Sequence, residues 1–75
     1  MAENQPFSVV LVESFGHALQ AEKMLGAAGI SCRLVPVPRH ISSDCGVCLR
    51  FSSDFQTRVE EILSGRLDSF EIVRL

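Results

Sequence analysis

The chain has 75 residues, 47% of them hydrophobic, and a formal net charge of −2. This length fits one domain, and the apolar fraction is too high for a disordered chain. Acidic and basic residues are interspersed without a Lys/Arg run, so we expect neither nucleic acid nor a membrane surface as a partner. The longest apolar run, residues 9–12, is far below the ~20 residues that span a bilayer. The polar first residues do not resemble a signal peptide, so we expect a cytoplasmic protein.

The beginning of the chain predicts a tail, a strand and a helix. Residues 1–6 are mostly polar and are expected to form a flexible tail, so that a single domain covers residues 7–75. Residues 7–12 are largely apolar without alternation, which is typical of a central strand buried on both faces. Ser14 is a candidate N-cap for a helix over residues 15–28, whose buried face would be rich in alanine.

The middle of the chain predicts two strands joined by a long loop. Residues 30–35 alternate between apolar and polar side chains, as a half-buried strand does, and residues 47–51 alternate in the same way. The connection over residues 36–46 is rich in Pro, Ser and Asp. A loop of this length is long for a hairpin, and such loops often carry function.

The last part of the chain predicts a second helix and a fourth strand. Ser52 or Ser53 is expected to start this helix. Ser53 and Gln56 have the spacing of a capping box, and apolar residues follow at helical spacing. Gly65 is expected to end this helix. Residues 69–75 then predict the final strand, because Phe70 and its apolar neighbours follow a short turn.

The order β-α-β-β-α-β predicts an α+β fold of the ferredoxin-like kind, a four-stranded antiparallel sheet with two helices on one face. In this topology the end of the first strand, the start of the first helix and the loop between the middle strands share one edge. We therefore expect that loop to fold over the start of the helix and to bring Cys45 and Arg39 towards Ser14 and His17. Cations and a helix N-terminus lower the pKa of a thiol, which would make Cys45 a better nucleophile.

The cysteines leave several kinds of chemistry open. Three is an odd number, and we expect no disulfide framework in a cytoplasmic chain. Cys45 and Cys48 form a CxxC pattern, but a strand would separate their Cα atoms by about 10 Å, too far for a disulfide. One such pattern supplies two of the four ligands that zinc requires. The hypotheses are a reactive thiol at Cys45, a metal-binding or delivery module on Cys45 and Cys48, and an interaction or regulatory domain with inert cysteines.

The small size of the domain also bears on its assembly. A chain of this length buries a thin core, and oligomerisation is a common supplement. The outer face of the first strand is apolar and is expected to be open in this fold. A homo-oligomer contact on that face is therefore a further hypothesis.

The segment Pro-Arg-His-Ile-Ser-Ser-Asp-Cys-Gly, residues 38–46, resembles a small bacterial family of selenium/sulfur carrier-like proteins. The resemblance runs from residue 7 to about residue 63 and includes the sequence around His17. It implies that Cys45 is the functional cysteine and that its surroundings are drawn from four residues, His17, Arg39, Ser42 and Gly46.

The same resemblance implies a carrier without turnover of its own and without a cofactor. Cys45 would accept sulfur or selenium from a donor enzyme, such as a cysteine desulfurase, and hold it as a persulfide or selenosulfide. Arg39 and the amides of the helix start at Ser14 would bind the anionic terminal atom. His17 would help to deprotonate the thiol.

Overall fold

A computed structural model describes residues 6–41, 46–67 and 69–75 of the chain. The element order agrees with the predicted β-α-β-β-α-β pattern, and the strand and helix ends agree within about two residues. The elements are β1 (Phe7–Val12), α1 (Phe15–Ala27), β2 (Cys32–Pro36), β3 (Val47–Ser52), a short 3-10 helix (Ser53–Phe55), α2 (Gln56–Leu63) and β4 (Phe70–Arg74). Within the described residues, no helix is long and apolar enough to cross a membrane.

The four strands form one antiparallel sheet in the order β2-β3-β1-β4, which confirms the ferredoxin-like prediction. Leu11 of β1 lies opposite Cys48 of β3, and Cys48 lies opposite Val35 of β2. The ends of β1 and β2 and the beginning of β3 therefore meet at one edge of the sheet. We call this edge the loop edge, because the β2–β3 connection and the entry to α1 both leave the sheet there.

The helices pack on one face of the sheet and form the larger core. α1 buries Ala18, Ala21 and Leu25, the face that the sequence predicted. Ser14 is the N-cap of α1, as predicted, and its hydroxyl accepts a hydrogen bond from the backbone N–H of His17. The buried members of this core are Val10, Val12, Ala18, Ala21, Leu25, Ile30, Leu49, Phe51, Val59, Leu63 and Leu67.

The second face of the sheet carries a core of its own. Val9, Leu11 and Cys48 are buried there, and Val37 and Ile41 of the β2–β3 loop pack against them. The outer face of β1 is thus covered by the same chain, which removes the reason given above for a homo-oligomer contact at that face. The expectation that the loop folds over the start of α1 is also not what its described part does, because Val37 and Ile41 bury their apolar surface on the opposite face.

The start of α2 agrees with the prediction only in part, because Ser52 is one of the two serines expected there but the capping box is absent. Ser52 is the cap, and its hydroxyl accepts from the Asp54 backbone N–H, so a 3-10 turn precedes the helix. Ser53 and Gln56 do not form the predicted capping box, because both side chains contact the hydroxyl of Ser8, at 2.6 and 3.5 Å. Ser8 is fully buried, and a buried hydroxyl requires hydrogen-bond partners.

Candidate functional site

The loop edge brings together the chain segments on which the sequence placed its candidate residues. β1 ends at Val12, and α1 begins two residues after Glu13, so Ser14 and the first turn of α1 lie at this edge. The β2–β3 loop leaves the same edge at Val37. Its Arg39 side chain is exposed to solvent, as a group that meets an external partner must be. That these groups surround the Cys45 thiol stays a prediction.

Cys45 and Ser42 lie outside the described residues. The predicted roles of Cys45 as acceptor and of Ser42 as its neighbour therefore stay predictions from the sequence. The structure does describe both sides of this segment, from Pro38 to Ile41 and again from Gly46 onwards. The Ile41 backbone N–H donates to the Pro38 carbonyl at 3.0 Å, which closes a tight turn on the way into the segment.

Ser14 and His17 form a local pair at the start of α1. The Nδ1 atom of His17 lies 2.9 Å from the Ser14 hydroxyl oxygen, which also accepts from the His17 backbone N–H at 3.2 Å. When Nδ1–H donates to the hydroxyl oxygen, the Nε2 atom of the neutral imidazole is unprotonated and can accept a proton. The imidazole is half-buried and fixed in orientation by this contact, so the cap residue also sets the geometry of the predicted base.

Gly46 ends the loop in a conformation that favours glycine. Its φ angle is +81°, and its carbonyl accepts a hydrogen bond from the Val37 backbone N–H at 3.1 Å. An added Cβ would meet no atom within 4 Å, so the requirement for glycine comes from the backbone and not from space. Gly46 therefore fixes how the chain enters β3 directly after Cys45.

The two described cysteines occupy positions that disfavour a role as the acceptor. Cys48 is fully buried on the second face of the sheet, beneath Val37 and Ile41. Cys32 is half-buried at the edge strand β2, and burial, with a smaller contribution from the Glu22 carboxylate, raises the pKa of its thiol. Because the thiolate is the nucleophile, the raised pKa makes Cys32 a poor acceptor, whereas Cys48 is shielded from a partner protein by its burial.

The described part of the chain offers no ready metal centre. Among residues 6–41, 46–67 and 69–75, no group of three or more His, Cys, Asp or Glu side chains could hold a metal ion. The metal hypothesis also used Cys48, which is fully buried in the second core, and the proposed Cys45–Cys48 pair stays a prediction. The Cys45 half of the proposed pair lies outside the described residues.

Two features of this region escaped the sequence analysis. Val37 and Ile41 lie in a segment that composition marks only as a loop, yet they cover the second core. Phe15 and Leu19 are exposed to 53% and 43% on the first turns of α1. Their i, i+4 spacing, off the face of Ala18, was a signal that could have predicted a second apolar stripe on this helix.

The fold and the loop define a ferredoxin-like domain that has a cysteine-bearing connection at one edge of its sheet. The chain belongs to the family described as "Putative Se/S carrier protein-like", whose family model matches residues 8–72. This match confirms the resemblance on which the sequence analysis relied. Neither a curated protein nor a solved structure shows significant similarity to the chain.

Proposed function

We propose that this protein is a sulfur or selenium carrier in which the Cys45 thiol holds the transferred atom. The observation that carries the proposal is the family match over residues 8–72, which includes the whole loop around Cys45. The environments of the other two cysteines support the choice of residue. Cys48 is sealed in the second core, and the Cys32 thiol holds its proton more tightly than an ordinary cysteine.

The transfer is an exchange that needs no external oxidant. The Cys45 thiolate attacks the terminal sulfur of a persulfide on the donor enzyme, and a new sulfur–sulfur bond forms on Cys45. The sulfur–sulfur bond of the donor breaks, and the donor cysteine leaves as a thiolate that takes up the proton released by Cys45. The acceptor reaction repeats this exchange in the other direction. Selenium follows the same path as a selenosulfide.

The groups at the loop edge would assist this exchange. Arg39 is exposed and carries a permanent charge, so it would stabilise the anionic terminal atom. The His17 imidazole is oriented by Ser14 and would accept the thiol proton. A donor enzyme such as a cysteine desulfurase is the expected partner.

Intact-mass spectrometry after reaction with a cysteine desulfurase and cysteine tests this proposal. The native chain is expected to gain one sulfur atom, which dithiothreitol should remove by reduction. Cys45→Ser is expected to gain none. Cys32→Ser is the matched control, because it also removes one thiol and is expected to accept sulfur normally. An adduct that persists in Cys45→Ser and disappears in Cys32→Ser would overturn the assignment. Selenocysteine in place of cysteine tests selenium in the same assay.

A further inference from the structure

Two arginines on the second face of the sheet have no role in the proposed carrier chemistry. Arg33 of β2 and Arg50 of β3 are direct cross-strand partners, and Arg50 is also opposite Val9 of β1. Partners in an antiparallel pair project from the same face, about 5 Å apart at Cβ. Since Val9 belongs to the second core, both guanidinium groups extend from that face. Arg33 is exposed and Arg50 is half-buried.

This pairing places like charges together, and no acid among the described residues compensates them. Like charges directly opposite each other on neighbouring strands are destabilising. Within residues 6–41, 46–67 and 69–75, neither Arg33 nor Arg50 forms an ion pair with a carboxylate. The net charge of the whole chain is −2, yet no acidic side chain in the described part of the chain pairs with either arginine. The local positive charge is therefore left for a ligand to neutralise.

Arg50 is also held in place before any ligand arrives. Its guanidinium carbon lies 4.6 Å from the centre of the Phe7 ring, and Phe7 precedes Val9 by two residues on the same strand face. This cation–π contact uses the flat face of the guanidinium group and leaves its N–H edges available for hydrogen bonds. Such fixed orientation reduces the entropy lost when an anion binds.

We propose that Arg33 and Arg50 form a binding site for a tetrahedral oxyanion, the phosphate group of a small phosphorylated molecule. Two guanidinium groups balance the two charges of a phosphate monoester, whereas a single carboxylate would leave one charge uncompensated. Three phosphate oxygens can also be shared between two donor forks, and a carboxylate has only two oxygens. The site goes beyond the carrier function, because it requires neither Cys45 nor a transferred sulfur atom.

Nuclear magnetic resonance titration with inorganic phosphate tests the site. The backbone and guanidinium N–H signals of Arg33 and Arg50 are expected to shift and to saturate, relative to sodium chloride at the same ionic strength. Arg33→Gln and Arg50→Gln are each expected to weaken binding about tenfold, as expected for the loss of a charge-assisted hydrogen bond. Arg58→Gln is the matched control, because Arg58 is exposed on α2 and is expected to leave the affinity unchanged.

Three outcomes would overturn the proposal. The first is a phosphate response no larger than that of chloride, and the second is an equal loss of affinity in Arg58→Gln. The third is saturable binding of a single-stranded oligonucleotide at the pair without saturable binding of phosphate, which would assign the site to a nucleic-acid backbone. Arg33 is exposed on an edge strand, so Arg33→Gln is expected to fold. If Arg50→Gln fails to fold, Arg33→Gln alone still tests the site. Arg33→Lys should restore part of the affinity, since it keeps the charge and loses the fork.

Discussion

At the scale of single residues, the surroundings of each sulfur atom determine the chemistry available to it. Cys32 and Cys48 both lie in strands of the sheet, yet they differ in how deeply they are buried and in which core surrounds them. Cys48 is one of the buried residues of the second core, whereas Cys32 lies at the margin of the helix-facing core and near Glu22. Cys32 is therefore the described thiol whose titration should be visible in the folded protein.

Folding stability should decrease with pH through the ionisation of Cys32. Burial, and then Glu22, raise the pKa of this thiol in the folded state, so the folded chain binds its proton more tightly than the unfolded chain does. The stabilising contribution is fully present below the unfolded pKa of about 8.5 and is lost as the pH rises through the folded pKa. Urea unfolding of the native chain and of Cys32→Ala, at neutral and alkaline pH, measures this contribution. The difference in unfolding free energy between them should shift in favour of Cys32→Ala at alkaline pH.

The control for this titration is Glu22→Gln, which removes the smaller of the two causes and keeps the burial. This variant should show a weaker pH dependence than the native chain and a stronger one than Cys32→Ala. An identical pH dependence in the native chain and in Cys32→Ala would contradict the prediction, because it would place the titration elsewhere.

Two glycine substitutions should change stability in opposite directions. Gly46 has a φ angle of +81°, so Gly46→Ala should cost about 1–2 kcal/mol although space for the methyl group is free. Gly26 lies inside α1, also with free space, and Gly26→Ala should stabilise by about 0.5–1 kcal/mol. Urea unfolding of both variants measures these two changes in the free energy of unfolding. A neutral or stabilising Gly46→Ala would show that the loop end has no need of a positive φ angle.

At the scale of elements, local patterns predicted most of the fold and failed where tertiary contacts decide. The alternation in β2 and β3 and the cap at Ser14 follow from the side chains of each segment alone. The Ser53 and Gln56 spacing met an equally local criterion, but the buried hydroxyl of Ser8, far away in sequence, attracts both side chains. The prediction for the β2–β3 loop failed for the same reason, because nothing in the loop sequence reveals which face of the sheet Ile41 covers.

The candidate site follows the same division. The approach of Ser14 and His17 was predictable, because it is set by three residues of one helix turn. The assembly of β1, β2 and β3 at the loop edge was predictable from topology. The opposition of Arg33 and Arg50 requires the register between two strands, and no turn motif in the sequence fixes that register.

Truncation of the loop contact should loosen the second core. Ile41 is half-buried against the second core, so Ile41→Ala should cost about 1–2 kcal/mol, less than a fully buried isoleucine would. It should also increase the rate at which Cys48 is alkylated under native conditions, because its cover becomes smaller. Leu19→Ala is the matched control, since Leu19 is 43% exposed, and it should change neither quantity appreciably. Unchanged alkylation of Cys48 in Ile41→Ala would show that other groups protect this thiol.

At the scale of the whole molecule, β1 is the element that both cores share. Its successive residues alternate between the faces, with Val10 in the helix-facing core and Val9 in the second core. Both side chains are fully buried, which is unusual for a two-layer fold whose second sheet face is commonly open. The loop therefore acts as a partial third layer, and a domain of only 75 residues gains a second apolar cluster.

The two faces of β1 should contribute about equally to stability. Val9→Ala and Val10→Ala each remove the same atoms from a fully buried position, and each should cost about 2 kcal/mol. Urea unfolding followed by far-ultraviolet circular dichroism measures both costs and shows whether one transition remains. A single transition in both variants is expected, because β1 pairs with β3 and β4 and transmits the loss of either core to the sheet. A Val9→Ala variant as stable as the native chain, beside a destabilised Val10→Ala, would mean that the second core forms no part of the cooperative fold.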